Sequence, residues 1–351
     1  MRSITGGAVT LNLITDVAGL AVGHATDLAL ASGVTAILFD RAAVVSVAVL
    51  GGAPGGRDTD MLEPEMTIGG IDAVVLSGGS VFGLDAAGGV QAALREAGRG
   101  LNLRGALVPL ASGAVIFDLL NGGDKAWGRF SPYRDLGYAA ALAAAGEFGL
   151  GTVGAGTGAT TATVKGGLGS ASCVTRTGHT VGAIVVVNAV GSPTIGDGPW
   201  FWAAPFERGA EFGGRGWPAK VPAGALTPRL KGGPGTSTTI ALVATDAALT
   251  KPQAKRLAIM ANDGLARAIL PAHAPMDGDT VFAAATGARP LESDDDLTEI
   301  GQAATIALAR AIARGVYEAT ALPCPGAQAS WRDRFGVTSA PRPRVARRGP
   351  G

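Results

Sequence analysis

The sequence predicts layered β-sheets covered by helices, an α/β (or α+β) fold in one large domain. Three observations carry this expectation. Residues 182–188, apolar up to the closing Asn188, and 239–244, apolar after Thr239, have the pattern of buried strands. Helical patterns with recognisable start and stop signals occur in both halves of the chain. Hydrophobic residues make up 47% of the 351 positions and charged residues 16%, which supplies a sizeable core and argues against disorder.

Taken in order, residues 33–39 and 42–50 read as two β-rich runs divided by the charged pair Asp40-Arg41. A glycine-rich loop follows at 51–58. Residues 72–76 form a short apolar strand that enters Ser77-Gly78-Gly79-Ser80 and then a helical pattern over 81–97. An alanine-rich helix is expected over 136–145, and the strand at 182–188 ends abruptly on Asn188. Residues 206–235, rich in Gly, Pro, Lys and Arg, read as an exposed loop or linker. A strand over 239–244 comes next, then a helix opened by the capping box Thr250-Lys251-Pro252-Gln253. Its apolar positions Leu257, Ala258, Ala261, Leu265 and Ile269 recur at helical spacing until Pro271. A strand over 280–285 precedes a long helix over 293–319, whose opening Asp294, Asp295 and Asp296 suit the positive end of the helix dipole. The domain is expected to span 1–330. Residues 331–351, with Arg342, Arg344, Arg347 and Arg348 among prolines, read as a flexible basic tail rather than a nucleic-acid arm.

Composition narrows the function classes. A formal charge of +1 gives no global attraction to nucleic acid or an anionic membrane. No run approaches the roughly 20 apolar residues of a membrane span, and Asn12 and Asp16 interrupt the stretch where a signal peptide would be apolar. Cys173 and Cys324 form no motif, so a reducing, cytoplasmic setting is expected. His24, His179 and His273 lack metal-ligand spacing and read as structural; neither metal nor cofactor is expected. The glycine-rich run 154–159 resembles a dinucleotide fingerprint but leads to Gly166-Gly167 instead of a helix. Ser80, between Gly79 and Val81, is not in a nucleophile elbow.

The most informative stretch is Gly235-Thr236-Ser237-Thr238-Thr239, a small-residue turn running into an apolar strand. A hydroxyl residue at the first position of such a strand is what an N-terminal-nucleophile hydrolase needs: cleavage before it puts amine and hydroxyl on one residue, as base and nucleophile. On that reading Thr238 is catalytic and Ser237–Thr238 is the scissile bond; the alternative is a loop followed by an ordinary strand. Lys165 lies in a polar stretch read as flexible, as an oxyanion donor, an amine pKa modulator or a surface lysine. Asn188 is an oxyanion donor or a turn cap. Asp277 and Asp279, two apart before a strand, point the same way in extended chain and would hold an amine or hydroxyl, or form an Asp-Gly turn.

The ordered set Ala53-Pro54-Gly55, Ser77-Gly78-Gly79-Ser80-Val81-Phe82-Gly83-Leu84, Ala114-Val115-Ile116-Phe117-Asp118, Gly154–Ala159, Val186-Val187-Asn188, Ser237-Thr238-Thr239-Ile240 and Met276-Asp277-Gly278-Asp279-Thr280 resembles the DmpA-type aminopeptidases. That family includes L-aminopeptidase/D-esterases, β-peptidyl aminopeptidases and nylon-oligomer hydrolases. The resemblance implies a four-layer αββα sandwich, akin to ornithine acetyltransferase, made as a precursor and cut into fragments 1–237 and 238–351. It implies Thr238 as nucleophile, Asn188 as oxyanion donor, Lys165 nearby, and Asp277 and Asp279 holding the threonine amine and hydroxyl. It also implies Phe117, Ser80 and Gly79 beside a small peptide or amide substrate, and a homo-oligomer of cleaved units. The chain departs from the family pattern at Ser237, often Asn, and at Phe117, where several members carry an aromatic hydroxyl. An acyltransferase of the ornithine acetyltransferase kind and a non-catalytic binding protein on the same scaffold are the alternatives.

Overall fold

The computed structural model describes residues 11–232 and 237–336, apart from the side chain of residue 294. Its strands are β1 (Leu20–Asp27), β2 (Ser32–Val49), β3 (Gly56–Arg57), β4 (Ile71–Ser77), β5 (Leu101–Leu103), β6 (Ala106–Val108), β7 (Ala111–Val115), β8 (Gly167–Val174), β9 (Thr180–Asn188), β10 (Thr238–Ala247) and β11 (Thr280–Arg289). The α-helices are α1 (Ala86–Glu96), α2 (Tyr133–Leu142), α3 (Lys251–Ala266), α4 (Asp294–Tyr317) and α5 (Trp331–Phe335). β5 and β6 form a separate hairpin. The others follow the order β3-β7-β4-β2-β11-β10-β9-β8, with β1 also on β2.

β2 explains the layering. Its first half pairs with β1 and β4, and its second half pairs with β11. The strand therefore leaves one sheet and enters another, and its register against β4 shifts between Leu38 and Ala43. This corrects the expected break at Asp40-Arg41: the charged pair marks the irregularity, with both residues exposed, and not the end of a strand.

Strict alternation then sorts the side chains into layers. Ile37, Val45, Val74, Ile184, Val186, Ile240, Leu242 and Phe282 point between the two sheets and form the central core. Their neighbours Val185, Val187, Ala241, Val243, Val281 and Ala283 point the other way, against Leu257, Ala261 and Leu265 of α3 and Ala304, Leu308 and Ile312 of α4. On the far side Val34, Ala36, Ala73 and Val75 meet Ala86, Val90 and Leu94 of α1 and Tyr133 and Ala140 of α2. The result is the expected αββα sandwich. Because β9, β10 and β11 are covered on both faces along their middles, residues 181–187, 240–244 and 281–285 are continuously apolar, whereas an open sheet would alternate.

Local signals behave as their chemistry requires. Thr250 caps α3: its backbone N–H donates to Gln253 Oε1 at 2.8 Å, and its hydroxyl accepts from the Gln253 N–H at 3.4 Å. The pattern expected from residue 81 instead begins as a 3₁₀ turn over Ser80–Asp85, and only α1 is α-helical. The first residues assigned to the tail pack instead on the domain. Trp331 is buried, stacked on Phe201 with ring centroids 5.6 Å apart, and its indole N–H donates to Pro199 O at 3.1 Å. An aromatic body with a satisfied polar tip is a core residue, so residues 331–336 pack onto the domain. Arg342, Arg344, Arg347 and Arg348, together with Gly235 and Thr236, lie outside the described residues.

Candidate active site

Thr238 opens β10 in the middle of the second sheet, between β9 and β11. Asn188, the last residue of β9, is its partner across the antiparallel ladder. On the other side Ser237 forms an isolated parallel bridge with Asp277. Two strand ends and one loop therefore meet at the Ser237–Thr238 peptide. The Thr238 hydroxyl donates to the carbonyl oxygen of Ser237, the residue just before it. That same oxygen accepts the Gly278 N–H at 3.3 Å.

The Asp277-Gly278-Asp279 loop is held by backbone contacts with the glycine-rich loop after β2. Ala53 N–H donates to Asp277 O at 2.8 Å, and Leu50 N–H donates to Asp279 O at 3.1 Å. Gly278 has to be glycine: a Cβ there would lie 2.8 Å from both Thr238 Oγ1 and Ala53 O. Asp279 Oδ1 accepts the Thr239 N–H at 2.8 Å, while Oδ2 accepts the backbone N–H of His273 and pairs with its Nδ1, each at 2.9 Å. Asp277 accepts from Val190 N–H at 3.3 Å and Ala274 N–H at 3.1 Å. Burial, reinforced by the neighbouring Asp279 charge, raises the Asp277 carboxyl to about 6. Burial pulls the His273 imidazole down, but the Asp279 carboxylate outweighs it and the net shift is upward.

A cavity of about 320 Å³ opens on Thr238, lined by Ala53, Pro54, Gly55, Ser80, Val81 and Phe117 among others. Phe117 and Ser80 thus meet the nucleophile candidate in one cleft. Gly79 is set back from it. Its N–H donates to Asp118 Oδ1 at 2.7 Å, and its φ of +83° is one glycine adopts without strain. A Cβ at Gly79 would sit 2.2 Å from the Tyr133 ring.

Phe117 also borders a second cavity, of about 630 Å³, lined by Asp118, Thr160, Lys165, Lys231 and Gln328 among others. Lys165 is here, and not on the Thr238 cleft. Contrary to the expected flexible stretch, it is 1% exposed. Its ammonium donates to the carbonyls of Gly156, Ala159 and Gly166 at 3.2, 2.7 and 2.9 Å. Burial lowers it to about 7, with Asp118 opposing and Lys231 adding to the shift. Asp118, itself fully buried, is pushed up by desolvation despite accepting from Ser32 Oγ at 2.6 Å.

Asn188 is wholly buried. Its Oδ1 accepts the Thr160 N–H at 3.0 Å and the Lys231 ammonium at 2.7 Å, and its Nδ2 donates to Phe117 O at 3.2 Å. Sequence reasoning missed Lys231, His273 and the Gly278 N–H. Lys231 sits in the pattern-poor linker, and only the fold brings it to Asn188. His273, six residues before Asp279, carried a local clue in its sequence proximity. Among the described residues no three His, Cys, Asp or Glu side chains are grouped to hold a metal ion, and no helix is long and apolar enough to cross a membrane.

Comparison with known proteins gives this geometry its class. An uncharacterised aminopeptidase of Mycobacterium tuberculosis (strain H37Rv) is 42% identical over 356 residues, covering 93% of this chain and 98% of the relative. A 6-aminohexanoate-oligomer endohydrolase of Kocuria sp. is 32% identical over 289 residues, covering 77% of this chain and 74% of the relative. A solved Burkholderia sp. β-aminopeptidase superposes with a TM-score of 0.66 at 24% identity, covering 95% of this chain and 94% of that one. The L-aminopeptidase D-Ala-esterase/amidase of Ochrobactrum anthropi, described as a variant of the N-terminal-nucleophile hydrolase fold, does so at 0.66 and 22%, covering 95% and 92%. At these identities the two structures speak to fold alone. Fold, cleft and sequence relatives together define a hydrolase acting on peptide or amide bonds, an aminopeptidase or amidase; the acyltransferase alternative is not favoured. Residues 12–329 match peptidase family S58, and the chain belongs to that family.

Proposed function

We propose that this chain is a self-processing amidohydrolase whose nucleophile is Thr238, released as a new N-terminus. The observation that carries the reading is the Thr238 hydroxyl resting on the carbonyl of its own preceding residue. In the precursor, Thr238 Oγ attacks the Ser237 carbonyl carbon, the C–N bond breaks, and the nitrogen takes the hydroxyl proton. Water then hydrolyses the resulting ester, leaving a carboxylate on Ser237 and both amine and hydroxyl on Thr238. The freed α-amine, with an ordinary pKa of about 7.7–8.0, is suited to base work near neutral pH.

In turnover the same oxygen attacks a substrate amide in the cleft beside Ser80 and Phe117, and water releases the acid product. Asn188 and the Gly278 N–H are the oxyanion donors this reading assigns; one such donor is worth roughly 3–4 kcal/mol in well-studied cases. Asp277 and Asp279 border the position the new amine occupies, and Lys165 sets the positive potential behind Phe117. The substrate is a small peptide or amide, and no step requires a metal or cofactor. Assembly of cleaved units into a homo-oligomer rests on the family resemblance. Placement in the cytoplasm rests on Cys173 and Cys324, which are free thiols.

The test is hydrolysis of a panel of aminoacyl and β-aminoacyl p-nitroanilides by wild type, Thr238→Ala and Thr238→Ser. Loss of turnover in Thr238→Ala with partial activity in Thr238→Ser is expected. Full activity in Thr238→Ala would remove the reading.

A further inference from the structure

Asn188 presents a carboxamide whose two ends do opposite chemistry, and only one orientation makes it an oxyanion donor. Burial lowers Lys231 to about 7, but the Thr160 backbone N–H can only donate, so the atom it contacts is the oxygen, and a protonated Lys231 meets the same atom. Lys231 Nζ at 2.7 Å and Thr160 N at 3.0 Å both meet Oδ1, and Nδ2 donates to the Phe117 carbonyl at 3.2 Å. Phe117 in turn borders both the Thr238 cleft and the larger cavity, while the wholly buried Asn188 lines neither.

We propose that Lys231 is a positioning residue for the reaction at Thr238: it fixes the Asn188 amide with its nitrogen on the side of Phe117, at the border of the cleft, and polarises it. The inference rests on the Thr238 reading above and adds to it a residue that touches neither substrate nor nucleophile. A charge-assisted hydrogen bond to the amide oxygen is stronger than a neutral one. It draws electron density toward Oδ1, leaving the Nδ2 hydrogens more positive where oxyanion charge develops. Lys231 is also tethered independently of its side chain, because its backbone N–H donates to Val190 O at 2.8 Å. Lys231, Val190, Thr160 and Asn188 all belong to fragment 1–237, so cleavage at Ser237–Thr238 breaks no covalent link among them. This differs from the role of Lys165, whose ammonium is occupied by three backbone carbonyls.

The test is a double-mutant cycle on full-length protein. Lys231→Met, Asn188→Ala, the double variant, Lys231→Arg and Lys231→Gln are produced by cell-free translation, and precursor loss is followed by intact mass. kcat and KM on an aminoacyl p-nitroanilide are measured for the variants that mature. Removing one oxyanion donor costs about 10²–10³-fold, and Lys231→Met leaves Thr160 in place. It should therefore slow self-cleavage and kcat by roughly ten- to a hundredfold, with KM within about twofold. Lys231→Arg should recover most of the rate and Lys231→Gln part of it. In the Asn188→Ala background the Lys231→Met change should add less than about twofold, because a residue acting through Asn188 has nothing left to position. Full multiplication of the two losses, or unchanged rates in Lys231→Met alongside an inactive Thr238→Ala, would overturn the role of Lys231 while leaving the nucleophile in place. Activity in Thr238→Ala would instead remove the underlying reading. Thermal unfolding of each variant separates these outcomes from misfolding, and Lys231→Arg and Lys231→Gln carry the test if Lys231→Met does not fold.

Discussion

Asn188 and Thr238 are directly paired residues of neighbouring antiparallel strands, the last of β9 facing the first of β10. A strand ladder fixes such a pair without any loop having to be placed, so the proposed donor and the proposed nucleophile sit on paired strand ends. The Asp277–Asp279 loop closes the site from the β11 side, where Ser237 and Asp277 form their bridge.

Gly278 is the tightest point of that closure. A methyl carbon added there would lie 2.8 Å from both the Thr238 oxygen and the Ala53 carbonyl, so Gly278→Ala has to push one of them away. Overpacking of this kind costs about 1–3 kcal/mol. The expected result is a folded protein whose self-cleavage is slowed by more than about tenfold, read as precursor accumulating on a denaturing gel.

Asp277 predicts the acid limb of the pH profile. Burial and the adjacent Asp279 charge hold its carboxyl near 6, so it gains a proton and loses its charge as pH falls through that value. An ionised carboxylate is needed to hold the threonine amine in the proposed reaction. kcat/KM should therefore decline below about pH 6 with a slope near one, and Asp277→Asn should abolish that limb. A rate independent of pH between 5 and 7 would contradict the assignment of about 6.

The cut should not release either fragment. β10 and β11, both from fragment 238–351, are flanked by β9 and β2 of fragment 1–237. Buried Arg310 adds a polar tie across the cut: it donates to Glu211 at 2.7 and 2.9 Å, to Ser172 O at 2.8 Å and to Asn12 Oδ1 at 2.8 Å. The fragments should co-elute in native size-exclusion chromatography and part only in denaturant. Breaking a buried ion pair from one side costs about 3–5 kcal/mol. Arg310→Met should fall at the lower end, because Arg314 remains 3.7 Å from Glu211; denaturant titration reads the loss.

Much of this was legible in the chain because it is written locally. Thr250 and Gln253 announce α3 by an interaction three residues long, and the apolar runs of β9 and β10 follow from burial on both faces. Thr238 stood out because a hydroxyl at a strand start after a small-residue turn has specific chemistry. Non-local features were not legible. Asp40-Arg41 looks like a strand end, since nothing nearby reveals that β2 passes from one sheet to another. Lys165 looks exposed in a glycine- and threonine-rich stretch, yet three carbonyls, of Gly156, Ala159 and its own neighbour Gly166, enclose its ammonium. Lys231 reaches Asn188 across 43 positions of sequence and leaves no pattern at all.

The central claim is that the chain cuts itself before Thr238, and intact mass under denaturing conditions tests it most directly. Purified wild type should give two species, residues 1–237 and a 114-residue fragment beginning at Thr238 (351 − 237), and Thr238→Ala one uncut species. A wild-type chain that stays at full length on prolonged incubation, or fragments that begin at any other residue, would contradict it.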